Sequence, residues 1–189
     1  MKKPTKTFLL ETFVLIAILL LQISGLFRGL NELVNSTLPL LDGRFMELLT
    51  SLGGDAFLVP FMALVVLLDL RKGGLSKKTL AFIISAFVGL AIVGFLKVAL
   101  SSPRPRPLPG ANVLSAGAFP SGHTFRASII ASYVSDRWKK LASLAWAYAV
   151  GIALTRLFLH YHWLSDVLFS LVLAPWLYTL VKSVLGADE

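Results

Sequence analysis

Arg156, His160, His162 and Asp166 put one guanidinium, two imidazoles and a carboxylate within eleven residues of an otherwise apolar C-terminal third. Ionisable side chains at membrane depth are costly, and by default they mark functional sites. His162 and Asp166 are four apart, so on a helix they share a face and touch. A carboxylate against an imidazole fixes which ring nitrogen holds the proton and leaves the other free as a nucleophile or base. Arg156 offers a rigid fork of donors suited to an anion with several oxygens. An oriented histidine beside an anion clamp suggests phosphoryl transfer. His160 has no carboxylate at helical spacing and reads as structural.

Two other clusters carry the same chemistry. Lys97 is followed, after six residues, by Arg104-Pro105, a mobile point charge and then a forked one. Pro120-Ser121-Gly122-His123 begins a helical stretch, where free backbone N–H groups and the helix dipole attract anions. Gly122 lets the backbone approach closely. Together the clusters supply three cations, a helix N-terminus and two histidines, which can stabilise the charge of a phosphoryl-transfer transition state without metal.

The elements that must position these groups are membrane helices. The chain is 56% hydrophobic and 15% charged, with a mean hydropathy of +0.78, far too apolar for a soluble domain of this length. Its net charge of +8 does not point to nucleic acid, because the lysines and arginines lie between apolar runs and not on one polar face. There is no cysteine, which excludes disulfides, thiolate catalysis and cysteine-bound metals. The apolar runs predict an all-α, six-transmembrane helical bundle in one domain covering residues 1–189, with spans at about 8–27, 52–70, 79–100, 123–135, 141–159 and 163–185. The first span reads as uncleaved. A segment at about 36–51 reads as interfacial. Span 123–135 is weakly apolar and is expected to be buried among the others. Pro60 and Pro175 read as tolerated kinks. Pro103, Pro105, Pro107 and Pro109 forbid a helix between the third and fourth spans, and Ala145, Ala149 and Ala153 form a close-packing stripe.

Eleven basic residues (Lys2, Lys3, Lys6, Arg71, Lys72, Lys77, Lys78, Arg137, Lys139, Lys140, Lys182) fall on the side of both termini and seven elsewhere, which predicts cytoplasmic termini. All three polar clusters then fall at the extracytoplasmic face. Asp69 reads as marking the inner end of its span, Arg106 as an outer-loop anchor, and Tyr161, Trp138 and Trp163 as an aromatic belt.

Lys97-x6-Arg104-Pro105, Pro120-Ser121-Gly122-His123 and Thr155-Arg156-x5-His162-x3-Asp166 resemble the three signature motifs of the type 2 phosphatidic acid phosphatase family, which includes membrane lipid phosphatases and soluble vanadium haloperoxidases. Thr155 stands where the family usually has serine, and both carry a hydroxyl. The resemblance implies that His162 attacks phosphorus and forms a phosphohistidine, that Asp166 orients it, and that His123 protonates the leaving oxygen and then activates water. It implies that Lys97, Arg104, Arg156, Ser121 and Gly122 hold the phosphoryl oxygens, with no metal and no cofactor. Arg126, one turn after His123, lies outside the motif and reads either as a phosphate or headgroup contact or as a salt bridge within the bundle.

The expected activity is hydrolysis of a lipid phosphomonoester or diphosphate, with phosphatidic acid, phosphatidylglycerol phosphate, polyprenyl diphosphate and lipid A phosphate as candidate substrates. The alternative is a lipid phosphotransferase that passes the same phosphoryl group to a lipid hydroxyl. Haloperoxidase chemistry has no need of six spans. A transporter would carry charges at mid-membrane on several helices, whereas here they gather at one end.

Overall fold

The computed structural model describes residues 5–108, 110, 112 and 116–187; Lys2, Lys3 and Pro109 lie outside them. The described residues form eight α-helices and no strand: α1 Lys6–Ile23, α2 Arg28–Thr37, α3 Arg44–Ser51, α4 Asp55–Leu70, α5 Lys77–Leu100, α6 Gly122–Arg137, α7 Ala142–Phe158 and α8 Leu164–Leu185. Short polar side chains start several of them. The hydroxyls of Thr5, Ser76 and Ser121 accept from the backbone N–H three residues on, opening α1, α5 and α6. Helices α4 and α8 run through Pro60 and Pro175 without a break.

Five segments are long and apolar enough to cross a bilayer: Lys6–Ile23, Arg44–Leu70, Lys77–Leu100, Lys139–Phe158 and Leu164–Leu185. The sequence predicted six. The sixth, α6, is 16 residues long, short of the roughly 20 a lone span needs. It is the central helix: ten of its residues are buried, and it packs against α5, α7, α8 and α4. Its weak hydropathy follows from that position, since a helix wrapped by protein need not match lipid. The outer helices show the complementary pattern, with Phe13, Phe87, Phe95 and Leu144 among the large apolar side chains left open on their outer faces.

Two boundaries differ from the expected ones. The first span does not run to 27: α1 stops at Ile23, Gly25 turns the chain with a φ of 75°, and α2 follows as a separate helix. The stretch 36–51, expected as an interfacial segment, is divided between the end of α2 and α3. The chain is non-helical between α2 and α3, and there the Leu41 N–H donates to the Phe158 carbonyl at 2.9 Å. That bond draws α3 against α7, which it packs on.

The close helix contacts rest on small residues. Ala145, Ala149 and Ile152 of α7 pack on Ala127 and Ala131 of α6. Gly89 of α5 faces the ring of the fully buried Phe125, and a Cβ at that position would overlap the ring. At the end of the bundle near both described termini, polar groups are closed into ion pairs. Arg137 pairs with Asp69, which also accepts the Ser76 N–H at 2.9 Å. Asp136 takes Lys182 at 3.0 Å, Lys78 at 3.3 Å and the Tyr178 hydroxyl at 3.0 Å. Asp69 does more than end a span: it joins α4, the following turn and α6. Gly89→Ala should destabilise the fold by about 1–3 kcal/mol, the cost of overfilling a packed core; a melting temperature in detergent equal to wild type would contradict this packing.

Candidate active site

At the opposite end of the bundle a cavity of about 510 Å³ opens among α4, α5, α6, α7 and the loops between them. Lys97, Arg104, Gly122, His123, Arg126, Arg156 and His162 all line it. Residues as far apart in sequence as 97 and 162 therefore share one space. Asp166 lies behind His162, fully buried.

The His162–Asp166 pair is built by the start of α8. Asp166 Oδ2 accepts the Trp163 N–H at 2.9 Å, closing the first helical turn, and lies 3.1 Å from His162 Nδ1. A guanidinium only donates, so Nε2 beside Arg104 Nη1 keeps its lone pair and Nδ1 carries the proton toward Asp166. Nε2 faces the cavity and sits 3.0 Å from Arg104 Nη1. Burial, and then the charges of Lys97, Arg104 and Arg156, hold the His162 imidazole well below its ordinary range, which keeps it neutral and nucleophilic. The Asp166 carbonyl accepts the Ser121 N–H at 3.1 Å, tying this turn to the start of α6.

Among the described residues, the three cations donate their hydrogen bonds to uncharged acceptors. Lys97, near the end of α5, donates to the carbonyls of Gly117 at 2.6 Å and Ala118 at 3.1 Å. Gly117 is needed there, because a Cβ would strike the Lys97 carbonyl. Arg104 donates to the carbonyls of Ala116 at 3.2 Å, Gly117 at 3.1 Å and Tyr161. Arg156 is 2% exposed, and its Nη1 donates to the Thr50 hydroxyl at 2.8 Å. Its guanidinium carbon stands 5.0 Å from the centre of the Tyr161 ring, and its Nε has no partner among the described residues.

The proline-rich connection is pinned at several points. The Arg106 N–H donates to the His160 carbonyl at 2.8 Å, the Ala118 N–H to Ser102 at 2.8 Å, and Trp163 Nε1 to Pro103 at 2.7 Å. Arg106 pairs with Asp42 at 3.3 Å, in keeping with an anchor. His160 adopts a φ of 54° and faces the Leu38 carbonyl at 3.2 Å, outside the cavity.

Several side chains are used differently from the sequence reading. Ser121 is fully buried and its hydroxyl accepts from Thr124 N and Thr124 Oγ1 at 3.4 and 2.9 Å; it caps α6 and leaves the cavity lining to Gly122. Thr155 does not reach the cavity either. Its hydroxyl donates to Ile152 at 2.7 Å and lies 3.1 Å from that of Thr50, so it braces the acceptor of Arg156. Tyr161 is not in an outer belt: it is buried, and its hydroxyl donates to Glu47 at 3.0 Å. Arg126 makes the salt bridge, to Asp55 at 2.7 and 2.9 Å, and also lines the cavity.

Thr50, Glu47 and Asp55 were missed in the sequence. Thr50 and Glu47, with Tyr161, His123 and Arg156, line an adjoining cavity of about 420 Å³. The one available signal was that three polar residues fall in a short segment beside an apolar run. Among the described residues no cluster of His, Asp or Glu could hold a metal ion. The lining is cationic and suited to an anion.

A bundle with five segments long and apolar enough to cross a bilayer is a multi-pass membrane protein, and the lining of its cavity is cationic. The family model of the PAP2 superfamily matches residues 78–187, and the chain belongs to that superfamily. Among solved structures it is similar to a transmembrane PAP2-type phosphatidylglycerolphosphate phosphatase from Bacillus subtilis, with a TM-score of 0.75 and 22% identity over 100% of this chain and 98% of that one. At that identity the likeness speaks for the fold. No curated protein matches the chain.

Inorganic phosphate or vanadate should raise the melting temperature of the purified protein, since a ligand that binds only the folded state stabilises it. Arg156→Gln should remove the shift. Thr50→Val should weaken the apparent affinity about tenfold, the effect of losing one hydrogen bond to a charged group. Equal shifts in all three proteins would show that the anion binds elsewhere.

Proposed function

We propose that the protein is an integral membrane lipid phosphatase that hydrolyses a lipid phosphomonoester or diphosphate through a phosphohistidine intermediate at the extracytoplasmic face. The observation that carries the reading is the His162 imidazole, held by Asp166 and lining a cavity shared with Lys97, Arg104, Arg156 and His123.

In the first half-reaction Nε2 of His162 attacks phosphorus. The bond to the leaving oxygen breaks, and His123 gives that oxygen its proton. Asp166 stabilises the imidazolium of the phosphohistidine. Lys97, Arg104, Arg156 and the Gly122 N–H hold the non-bridging oxygens as charge builds on them. In the second half-reaction His123 takes a proton from water. The water oxygen attacks phosphorus, the P–N bond breaks, and phosphate leaves. No step calls for a metal.

A lipid substrate is favoured because the cavity wall on α5 that precedes Lys97 is apolar, formed by Leu90, Val93 and Gly94, on a helix whose Phe87 and Phe95 face outward. A headgroup can enter while its tail stays among lipid chains. The distribution of lysine and arginine over the loops favours an extracytoplasmic site and cytoplasmic termini.

His162→Ala should lower turnover by at least about a thousandfold, as loss of a nucleophile does, and form no phosphoenzyme. His123→Ala should let label from a phosphate-labelled substrate with a good leaving group accumulate on the protein. Label that appears as free phosphate supports hydrolysis, and label in a new lipid supports transfer. Because His162 is held below its ordinary value of 6.5, kcat/KM corrected for substrate ionisation should show no acid limb near that pH from this residue. Turnover should survive excess EDTA; loss that magnesium restores would overturn the metal-free mechanism.

A further inference from the structure

Arg126 and Asp55 are the charged pair at the cavity that the proposed reaction leaves unused. Arg126 stands three residues after His123 on α6, so the two share a helix face. Its Nε and Nη2 donate to the two carboxylate oxygens of Asp55 at 2.7 and 2.9 Å. Its third nitrogen, Nη1, curls back toward the start of α6, and a Cβ at Gly122 would lie 2.9 Å from it. All of these residues line the cavity. A forked cation therefore overhangs the anion-attracting helix end, with one arm turned to the cavity and two held by a carboxylate.

The hold is weak. The Asp55 side chain is 66% exposed, and ion pairs with so exposed a partner are easily exchanged. A phosphate offers the same fork of acceptors with more charge. The phosphoryl group under attack is already served by Lys97, Arg104, Arg156 and the Gly122 N–H. Arg126 lies instead beside His123, which faces the leaving oxygen. A cation there meets whatever charge the leaving group carries. Diacylglycerol carries none, whereas a lipid phosphate or phosphatidylglycerol carries a phosphate.

We infer that Arg126 binds a second phosphate on the leaving group and that Asp55 holds Arg126 when that phosphate is absent. The pair then makes the enzyme prefer lipids with two phosphates to lipids with one. This rests on the lipid phosphatase reading. The second phosphate has two sources: the adjacent one of a polyprenyl diphosphate, or the one across the glycerol of phosphatidylglycerol phosphate.

The test is kcat/KM of the full chain in mixed micelles for polyprenyl diphosphate, phosphatidylglycerol phosphate and phosphatidic acid. Arg126→Gln should lower the ratio of at least one two-phosphate lipid to phosphatidic acid tenfold or more. The lipid whose ratio falls identifies the source. Asp55→Asn, which frees the guanidinium, should raise the same ratio a few-fold. Arg126→Lys keeps the charge without the fork and should give an intermediate ratio, which covers a Gln variant that fails to fold. A structural tie would move all three substrates by one common factor, and that result overturns the inference while leaving the phosphatase reading intact. Wild-type protein that turns over none of the three overturns both.

Discussion

The structure depends on keeping two buried cations, Lys97 and Arg156, and a half-buried third, Arg104, without cancelling their charge. Taking an ion out of water costs several kcal/mol even after relaxation. The simplest remedy is a carboxylate partner, and at the end of the bundle remote from the cavity this is what the chain uses: Asp69 takes Arg137, and Asp136 takes Lys78 and Lys182. Those pairs are locally neutral and hold helices together. Around the cavity, Lys97 and Arg104 donate to carbonyls and Arg156 to a hydroxyl. Such acceptors take up the donors, Arg156 Nε excepted, and leave the positive charge in place. Asp166 is committed to His162.

That choice dictates the local fold. Carbonyls can be offered to Lys97 and Arg104 only where no helix already uses them, and the helix end at Ala116, the non-helical Gly117 and Ala118, and Tyr161 supply them. Irregular backbone is tolerated at membrane depth when protein surrounds it or when it lines a cavity. The prolines therefore have two roles. They keep residues 103–108 out of a helix, and the Pro103 carbonyl anchors the connection by accepting from Trp163 Nε1.

Much of this was legible in sequence, for identifiable reasons. Membrane helices must be long and apolar, so α1, α5, α7 and α8 show in composition alone. His162, Asp166, Lys97, Arg104, Arg156 and His123 stand out because ionisable side chains are rare in such company. Small hydroxyls were harder. Ser121 and Thr155 each sit at a helix end beside a cation or a histidine, where capping, bracing and ligand contact all demand the same residue type; only their positions in space separate the uses. Thr50 and Asp55 were invisible for another reason. They come from α3 and α4, which belong to none of the motif segments, and they matter only because the Leu41 N–H to Phe158 bond and the α3–α7 contact carry them to the cavity. Tyr161 was misread because aromatic side chains near span ends usually meet lipid headgroups, whereas its ring is covered by Arg156 and Arg106.

The main-chain bonds between segments explain how parts so distant in sequence keep their alignment. Ser121 N–H to the Asp166 carbonyl joins the start of α6, which carries His123, to the first turn of α8, which follows His162, and Arg106 N–H to the His160 carbonyl joins the proline-rich connection to the turn before His162. These bonds fix the backbone without using any side chain that faces the cavity. His162 Nε2 is meanwhile covered by Arg104 Nη1. Under the proposed reaction, a phosphate oxygen arriving at Arg104 takes over that donor and uncovers the lone pair in the same motion. Little reorganisation is then left for the chemical step, which is the condition under which fixed charges stabilise a transition state most effectively. Binding and activation of the nucleophile become one event, set off by the exchange of a single hydrogen bond.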